Sequence, residues 1–585
     1  MDYMTLAKAY ESIGATSKRL EMTDLLVELL LKTPKNEVEM VVYLTQGKVA
    51  PDFKGIELGL AEKLALKAIY EGTRVDEAKI NEWWIKDGDL GSVAFQAVSE
   101  KKQTSLFTES LNVTTVFDSL LNIAKASGSG SQELKMKLFA KLLHDSSPVE
   151  AKYIARTMAG KLRLGIADMT IVDALAVTYA GKEDRDAVER AYNTCSDLGR
   201  VAGLLATKGL GGLSEVKLEV GVPLRAMLCE RLTSIGEIIG KLGGECAFEY
   251  KYDGLRIQAH IRDGHIDLFT RQLEKVTDQF PDIVNMLAGA FKGKEGVVEG
   301  ECVPVDVNTG EMLPFQTVSR RRGRKFELTS AVNEFPVMLY LFDCLFLDDR
   351  DLTHTPYPNR RAELAACISE TERVKVSESM TTGDAADAEG FFDQAIERGA
   401  EGIIAKSVAD DSFYRAGSRG WQWIKFKRDY RSEMSDTVDL VAVGGFAGRG
   451  RRAGAYGALL MATYNREEDR FETVTKLGSG FDDDMLAALP GLLDDHRLDK
   501  ADRRVCSEMK PDHWFAPSLV LEVRGAEITL SPIHTCGFGV VREGAGLAIR
   551  FPRYTGRIRE DKAPEDATST DEVLAMYNLQ LKKLS

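Results

Sequence analysis

The apolar pattern of this 585-residue chain changes partway along, and that change constrains the fold more than any other feature. From residue 3 to about residue 206, apolar residues recur at intervals of three and four, as in the run DLLVELLL, which is the spacing of amphipathic helices. Beyond Pro223 the pattern alternates with period two and contains the hairpin signals Asp253-Gly254 and Asp263-Gly264. We therefore predict an all-α region followed by sheet-containing regions.

Two breaks in the pattern predict the domain boundaries. The run GLGGLSE at residues 209–215 interrupts the helical pattern, so we place one boundary near residue 215. The other follows Tyr430, where short strand-like runs such as LVAVGGF and YGALLMATY indicate a small β-barrel. The predicted domains are residues 1–215, 216–430 and 431–585.

Charge and cysteine content exclude several classes of protein. Lys plus Arg total 76 against 90 Asp plus Glu, and this net charge of −14 excludes a histone-like protein that binds polyanions through bulk charge. The eight cysteines show no CxxC spacing, and no paired His has metal-ligand spacing, which argues against a structural zinc site or a disulfide framework. Because there is neither an apolar run of roughly 18 residues nor a signal pattern, we expect a cytosolic protein without a membrane span.

The stretch CAFEYKYDGLRIQAHI is the most informative part of the chain. If Cys246–Tyr252 is a strand, Glu249 and Lys251 share one of its faces. A half-buried lysine beside a carboxylate can be tuned for nucleophilic use, because burial lowers the pKa of an ammonium group while a nearby acid raises it. The alternative is an ordinary surface lysine in a hairpin.

Further charged and aromatic residues follow this lysine. In sequence order they are Arg271 in LFTRQLEKVT, Glu299 and Glu301 in VVEGECV, Phe342 and Asp343 in YLFDCLFLD, Glu401 in GAEGIIAKS, and Lys425 and Lys427 in WQWIKFK. The series resembles the motifs of the covalent nucleotidyltransferases, and nearly the whole chain resembles the ATP-dependent DNA ligases of archaeal and eukaryotic type. The segment YIARTMAGKLRLGIADMTIVDALA is similar to their helical DNA-binding domain, and LAIRFPRYTGRIREDKAPEDA is similar to their C-terminal motif.

The resemblance implies a fold and an activity. The fold would be multidomain, with an all-α DNA-binding domain, an α+β nucleotidyltransferase (adenylation) domain of ATP-grasp-like type and a C-terminal β-barrel OB-fold. The activity would be that of a monomeric ATP-dependent DNA ligase that seals nicks in double-stranded DNA through a lysyl-AMP enzyme intermediate and a DNA-adenylate intermediate, in replication, repair and recombination. ATP and Mg²⁺, with Mn²⁺ as an alternative metal, are the implied cofactors.

The residue types suit adenylate transfer. A neutral lysine must attack the α-phosphorus in line with the departing pyrophosphate, while cations neutralise charge on the phosphate oxygens, and Lys251 is the predicted nucleophile. Lys425 and Lys427 alternate with apolar residues, so both ammonium groups project from one face of a strand, as a phosphate clamp requires. Solvated charges on an edge strand are the alternative for these two lysines.

Other site residues are assigned by the resemblance. It implies that Phe342 stacks on adenine, that Glu249 lies near the base, and that arginines reach the ribose and phosphates; these arginines are Arg256, Arg271 and Arg419. Glu301 would contact the nucleotide and, together with Glu401, hold the metal. The alternatives are core packing for Phe342, a surface position for Arg419 and salt bridges for the carboxylates.

Two acidic residues of the same motifs receive a different prediction. For Glu299 we prefer a structural salt bridge to a ligand contact, because an unpaired carboxylate is costly in an apolar strand. Asp343 alternates with Phe342 and is therefore expected to support the site without touching the ligand.

Local basic groups are candidates for contacts with DNA phosphates, which provide grip without sequence preference. They are Lys161 and Arg163 in the helical region, Arg320, Arg321 and Arg322 in a run that continues with Arg324 and Lys325, and Arg449 and Arg451 in AGRGRRAG. Solvated loops are the ordinary alternative for such runs.

The resemblance also implies two peripheral functions. The C-terminal motif would reach the pyrophosphate side of ATP before the barrel swings away about the linker after Lys427, unless it is only a charge-paired helix start; its residues are Arg550, Arg553, Arg559, Asp561 and Lys562. Residues in KKQTSLFTESL resemble the sliding-clamp-binding peptide of archaeal ligases, although the second aromatic residue is absent and a loop with a buried Leu and Phe is the alternative; they are Gln103, Leu106 and Phe107.

Rival functions fit the sequence less well. RNA ligases and mRNA-capping guanylyltransferases share the lysine motif but typically lack a helical domain such as the one predicted for residues 1–215. NAD-dependent ligases normally add a zinc-binding cysteine cluster, which this chain lacks. A non-catalytic, clamp-associated DNA-binding protein is the alternative from another class, and the retention of every reactive position argues against it.

Overall fold

The computed structural model describes residues 1–56, 58–101, 110–305, 312, 315, 318, 321, 332, 336–427, 437–448, 455–525, 527–531, 533–550 and 552–582. The chain divides into two units. Unit 1 comprises Met1–Glu230, Gly240–Gly383 and Ala405–Ile424, and unit 2 comprises Arg231–Ile239, Asp384–Ile404 and Lys425–Ser585.

The N-terminal part of unit 1 is helical, which confirms the prediction from periodicity. Its α-helices are α1 (Tyr3–Gly14), α2 (Arg19–Lys32), α3 (Val38–Thr45), α4 (Glu62–Thr73), α5 (Glu77–Asp87), α6 (Leu90–Ser99), α7 (Val113–Lys125), α8 (Ser131–Asp145), α9 (Pro148–Met158), α10 (Asp168–Leu175), α11 (Arg185–Cys195) and α12 (Leu198–Lys208). Among the described residues before Leu228, β-structure is limited to one isolated bridge between Asp2 and Asn112.

Helix α7 illustrates why these segments fold as helices. The Asn112 side chain accepts a hydrogen bond of 2.7 Å from the backbone N–H of Thr115, so it caps the first turn. Val116, Leu120 and Ile123 follow at intervals of four and three, and all three are fully buried. The apolar faces of the helices together form one hydrophobic core.

Two sheets form the central part of unit 1. The strands are β1 (Leu228–Arg231), β2 (Cys246–Lys251), β3 (Leu255–Arg262), β4 (His265–Thr270), β5 (Glu295–Pro304), β6 (Val337–Leu347), β7 (Arg350–Asp351), β8 (Val374–Val376), β9 (Ser379–Thr382), β10 (Gly402–Ser407) and β11 (Arg419–Lys427). The unit 1 residues of five strands form one sheet in the order β1-β11-β10-β2-β9. The other sheet has the order β4-β3-β5-β6-β7, and β8 pairs with β6.

Helices accompany these strands along the chain. They are α13 (Ile235–Lys241), α14 (Pro281–Ala290), α15 (Tyr357–Cys367) and α16 (Ala385–Glu397), of which α14 and α15 contribute buried side chains to the core of the sheet that contains β3, β5 and β6. Helix α15 contacts β6, and this contact places its polar side chains close to the candidate site described below.

One of the two predicted hairpins is confirmed and the other is wrong. Asp263 and Gly264 have φ values of 49° and 80° and join β3 to its antiparallel partner β4. Asp253-Gly254 instead connects β2 and β3, which lie in different sheets. Glycine at position 254 allows two backbone segments to approach closely instead of forming a hairpin turn, since a Cβ atom on Gly254 would lie 2.5 Å from the carbonyl oxygen of Cys302.

The C-terminal part of unit 2 is rich in β-strands, as predicted. Its elements are β12 (Val438–Ala447), β13 (Tyr456–Asn465), β14 (Arg470–Leu477), α17 (Asp483–Leu493), β15 (Arg497–Leu498), β16 (Val505–Cys506), β17 (His513–Phe515), β18 (Val520–Arg524), β19 (Glu527–Ser531), β20 (Gly546–Arg550), β21 (Arg553–Ile558) and α18 (Thr570–Lys582). Six strands follow the order β15-β17-β12-β13-β14-β16, β18 pairs with β12 and β21, and β19 pairs with β20. None of the helices in the described ranges combines the length and apolar character that a membrane crossing requires.

Candidate active site

Strand β2 presents the predicted nucleophile at its end. The strand covers Cys246–Lys251, which confirms the predicted strand to within one residue. Glu249 and Lys251 are two residues apart and therefore share a face. The Glu249 side chain is only 2% exposed, whereas Lys251 is partly exposed. The strand thus places a buried carboxylate next to a lysine that solutes can reach.

Three donors surround the Glu249 carboxylate. The Tyr357 hydroxyl donates to Oε1, Arg361 Nη1 donates to Oε1 at 2.8 Å, and Lys406 Nζ lies 2.7 Å from Oε2. Tyr357 and Arg361 come from helix α15, and Lys406 comes from β10. Burial, followed by the charge of Glu249, raises the pKa of the Tyr357 phenol well above its usual range, so the phenol stays protonated and donates.

Lys406 is held in a box of aromatic rings. Its side chain is 1% exposed, and Nζ lies 5.0 Å from the ring centroid of Phe342, 4.7 Å from that of Tyr357 and 4.4 Å from that of Trp423. Nζ also donates to the carbonyl oxygen of Phe342 at 3.2 Å. Cation–π contacts and the Glu249 carboxylate together compensate the buried charge.

A second buried carboxylate, Glu299, lies on β5. It accepts hydrogen bonds from Arg256 Nη2 at 2.7 Å, from the Tyr414 hydroxyl at 2.9 Å and from Gln258 Nε2 at 3.2 Å. Burial by itself would lower the pKa of the Arg256 guanidinium, but the charge and hydrogen bond of Glu299, together with Tyr414, outweigh burial, and the pKa lies above its usual range. The salt bridge preferred for Glu299 is therefore confirmed.

Arg256 connects Glu299 to the predicted stacking ring. Its guanidinium carbon lies 5.2 Å from the ring centroid of Phe342, and Nη1 donates to the carbonyl oxygen of Met227 at 2.9 Å. In the ladder between β3 and β5, Arg256 is the partner of Glu301, which is partly exposed. Arg256 is therefore close both to the Phe342 ring and to Glu301 on the neighbouring strand.

The third buried carboxylate supports the strand that carries Phe342. Asp343 accepts bonds from Arg360 Nε at 2.8 Å and Nη2 at 3.0 Å, and both side chains are fully buried. A register shift opposite Glu299 and Gly300 leaves Phe342 without a partner in the ladder. Phe342 is partly exposed while Asp343 is buried, which agrees with the supporting role predicted for Asp343.

Sequence reasoning missed six residues that donate to these carboxylates, namely Tyr357, Arg361, Lys406, Gln258, Tyr414 and Arg360. Only Lys406 carried a usable signal, because it follows Ile403, Ile404 and Ala405 in an apolar strand where a lysine is unusual. Two other predicted arginines are exposed; they are Arg271, just after β4, and Arg419, at the start of β11.

The remaining predicted nucleotide and metal residues belong to unit 2. Lys425 and Lys427 are partly exposed and flank the buried Phe426, which confirms the predicted alternation on β11. Lys427 Nζ lies 2.8 Å from Glu401 Oε2, and each side chain is 27% exposed. In the part of the chain that the structure describes, no group of three or more His, Cys, Asp or Glu side chains has the arrangement of a metal site.

The C-terminal motif is ion-paired within unit 2. Arg559 Nη1 and Lys562 Nζ both contact Asp439 Oδ2, the lysine at 2.7 Å. Arg559 also donates to both carboxylate oxygens of Asp561 at 2.9 and 2.8 Å, and this contact holds the pKa of the Asp561 carboxyl below its usual range. Arg553 is exposed on β21, and the side chain of Arg550 lies outside the described part of the structure.

The structure corrects one of the DNA-contact predictions. Arg321 was expected in a basic surface run, but its side chain is 1% exposed, donates to Asp282 at 3.0 Å and lies 4.5 Å from the ring centroid of Phe280. A buried, paired guanidinium cannot reach a phosphate. Lys161 and Arg163 are exposed, and Arg163 donates to the carbonyl oxygen of Gly88 at 2.8 Å.

Several predicted residues cannot be placed because they lie outside the described residues. They are Arg320, Arg322, Arg324, Lys325, Arg449 and Arg451 among the basic groups, and Gln103, Leu106 and Phe107 in the predicted clamp-binding segment.

The chain was compared with protein-family models and with known proteins, and matches extend along its length. Residues 2–176 match the DNA ligase N terminus model, residues 226–427 match the ATP dependent DNA ligase domain, and residues 452–562 match the ATP dependent DNA ligase C terminal region. DNA ligase 2 of Thermofilum pendens is 50% identical, and the match covers 100% of this chain and 98% of that protein. The DNA ligase of Thermoplasma volcanium is 45% identical, with 100% and 99% covered.

The chain therefore belongs to the ATP-dependent DNA ligase family. The ligase uses ATP and seals nicks in DNA, and replication and repair are the general roles of its family. A solved structure named Pmar-Lig_Pre has a TM-score of 0.52 at 15% identity, covering 95% of this chain and 99% of the other, which shows a shared fold. The ligase has a helical N-terminal region, a central adenylation domain and a β-rich C-terminal region.

Proposed function

We propose that the ligase acts through a lysyl-AMP intermediate on Lys251. The neutral Nζ attacks the α-phosphorus of ATP, a P–N bond forms, and the bond to pyrophosphate breaks. An oxygen of the 5′-phosphate at a nick then attacks the same phosphorus, and the lysine amine leaves. Finally, the 3′-hydroxyl attacks the activated 5′-phosphate, the phosphodiester forms and AMP departs.

One observation carries this assignment. The strand that ends at Lys251 also carries Glu249, whose buried carboxylate is bound to a lysine that packs against Phe342. A base stacked on the partly exposed Phe342 ring would bring its edge toward Glu249. Arg256, which packs against the same ring, would face the ribose and phosphates, and we propose the same for Arg271 and Arg419.

The metal and the phosphate clamp are part of the same proposal. Glu301 and Glu401 are partly exposed carboxylates, and Mg²⁺ and Mn²⁺ both prefer such oxygen donors and keep several water ligands. The metal would neutralise charge on the phosphate oxygens of bound ATP. Lys427 is paired with Glu401 and, with Lys425, would contact the same phosphates.

We also propose the wider organisation that the sequence predicted. It comprises domains at residues 1–215, 216–430 and 431–585, an adenylation domain of ATP-grasp-like type, an OB-fold in the last domain, a monomeric state and a cytosolic location. DNA phosphates would contact Lys161 and Arg163, together with Arg320, Arg322, Arg449 and Arg451. The C-terminal motif would reach the pyrophosphate, and the segment with Gln103, Leu106 and Phe107 would bind a sliding clamp.

Covalent labelling tests the central step. With ATP labelled at the α-phosphate, the denatured wild-type protein should keep the label, whereas ATP labelled at the γ-phosphate should leave none, because pyrophosphate departs. Lys251→Ala should abolish labelling, and Lys294→Ala, which changes an exposed lysine, should retain it. Label that survives Lys251→Ala would reject the assignment.

A further inference from the structure

We infer that Lys406 is a positioning residue that sets the base preference of the nucleotide site by holding Glu249 as an acceptor for the 6-amino group of adenine. The inference rests on the proposed function, which places adenine on Phe342 and nucleotide transfer on Lys251. Lys406 has 1% of its side chain exposed, and its ammonium group contacts both the Phe342 ring and the Glu249 carboxylate.

Burial makes this ion pair unlike an ordinary stabilising contact. Glu249 is 2% exposed and Lys406 is 1% exposed, so both charges have lost their hydration. Desolvation of such a pair costs several kcal/mol per ion, and well-packed apolar side chains of similar volume are often equally stable. Stability therefore does not require the Glu249–Lys406 pair as a whole, and a role of the pair toward the ligand would explain why both charges are present.

The partners of Glu249 leave it one chemical role. Tyr357, Arg361 and Lys406 all donate to it, and an ionised carboxylate accepts about four hydrogen bonds. A further donor fits this arrangement, but an acceptor would be repelled. Adenine carries an amino group at C6, whereas guanine carries a carbonyl oxygen there. The carboxylate should therefore favour ATP over GTP.

Lys406 also ties the carboxylate to the stacking ring. Its Nζ donates to the Phe342 carbonyl at 3.2 Å and lies 5.0 Å from the centroid of the Phe342 ring. A single cation therefore fixes both the ring that would bind the face of the base and the acceptor that would bind its edge. Removing the cation should impair recognition of the base edge more than stacking, which ATP and GTP share.

The experiment compares lysyl-nucleotide formation from α-labelled ATP and α-labelled GTP. We measure kcat/KM for each nucleotide in wild type, Lys406→Met, Glu249→Gln and the double variant. Wild type should have a higher kcat/KM with ATP than with GTP. In Lys406→Met the ratio of these two kcat/KM values should fall about tenfold or more, chiefly because KM for ATP rises. Glu249→Gln should lower the same ratio, because an amide can both donate to and accept from the base. The ratio in the double variant should differ little from that in either single variant.

Arg360→Lys is the matched control. Arg360 belongs to a buried ion pair of the same sheet region, but it donates to Asp343 instead of Glu249. This variant should lower the midpoint temperature of thermal unfolding without changing the ratio of kcat/KM for ATP to kcat/KM for GTP. If Lys406→Met lowers both rates by the same factor, as a purely structural role requires, the inference is overturned.

A milder variant covers the case in which Lys406→Met does not fold. Tyr357→Phe removes one donor to Glu249 while it keeps the ring, and it should narrow the preference about threefold. An unchanged ratio in a folded Tyr357→Phe protein would overturn the inference. Absence of label from wild type would reject the proposed function and the inference together, whereas label on Lys251 with an unchanged ratio in Lys406→Met would reject the inference alone.

Discussion

The candidate site in unit 1 and the C-terminal motif in unit 2 pair carboxylates with cations in different ways. In unit 1, Asp343 and Arg360 are fully buried, and Glu249 and Lys406 are nearly so. In unit 2, Asp439 pairs with two cations. The Arg559 side chain is 15% exposed, and the Lys562 side chain is 30% exposed. The difference lies in access to water.

Access to water decides whether a cation can change partner. Breaking a fully buried pair leaves an uncompensated charge, so the unit 1 pairs form a fixed framework around Phe342. Arg559 and Lys562 keep part of their contact with water while they are bound to the buried Asp439, so exchanging it for another anion costs these cations less desolvation than a fully buried cation would pay. Arg559 and Lys562 are therefore suited to leave Asp439 for a pyrophosphate group, as the proposed role of the motif requires.

The largest expected effect is at the fully buried pair. Arg360→Met leaves the Asp343 carboxylate buried without its cation, and we expect a loss of about 3–5 kcal/mol in the free energy of unfolding of unit 1. Urea unfolding, monitored by limited proteolysis, measures this loss of stability. The double variant with Asp343→Leu should recover part of the loss, and a double variant no more stable than Arg360→Met would show that the charge is not the cause.

A smaller effect should appear when the pH is lowered. His260 is buried on β3, its Nδ1 accepts from the Gly221 N–H at 3.0 Å, and Nε2 then donates to Gln258 Oε1 at 2.8 Å. Burial lowers the pKa of His260 to about 3, against about 6.5 for an unfolded chain. Between these values the unfolded state binds a proton that the native state excludes, so stability falls as the pH falls.

The size of this effect follows from the pH interval. From pH 6.5 to pH 5 the contribution of His260 should fall by about 1.6 kcal/mol, because the slope is about half of 1.36 kcal/mol per pH unit at pH 6.5 and approaches the full value as the unfolded histidine becomes protonated. Urea midpoints at several pH values measure the slope, and His260→Asn should flatten it. A variant with the wild-type slope would assign the pH dependence to other groups.

Local patterns predicted the elements of the fold well. The alternation in CAFEYKY was sufficient to predict strand β2 and the shared face of Glu249 and Lys251, because strand geometry depends on adjacent residues. The Asp263-Gly264 turn was also predictable, since its two residues adopt positive φ themselves. The motif residues were identified by resemblance, and the structure places Arg256 beside the Phe342 ring and opposite Glu301 in the ladder.

Partners distant in the sequence were not predictable. Arg321 looked like part of a surface run, but its partner Asp282 lies 39 residues earlier. Tyr357 and Arg361 reach Glu249 across 108 and 112 residues, and no local pattern reports such a contact. Asp253-Gly254 was mistaken for a hairpin because the group that leaves no space for a side chain at Gly254 is the backbone carbonyl of Cys302, which is distant in the sequence.

The smallest expected effect separates the two kinds of ion pair most directly. Asp439→Asn removes the anion that holds Arg559 and Lys562, and stability should change much less than in Arg360→Met. If the two cations bind pyrophosphate, the variant loses a competitor, and KM for ATP in lysyl-AMP formation should fall about two- to fivefold. Wild type and variant should converge at 1 M salt, where screening weakens both contacts. A rise in KM would instead mean that Asp439 positions the motif for ATP, and the contrast with the fixed pairs of unit 1 would then fail.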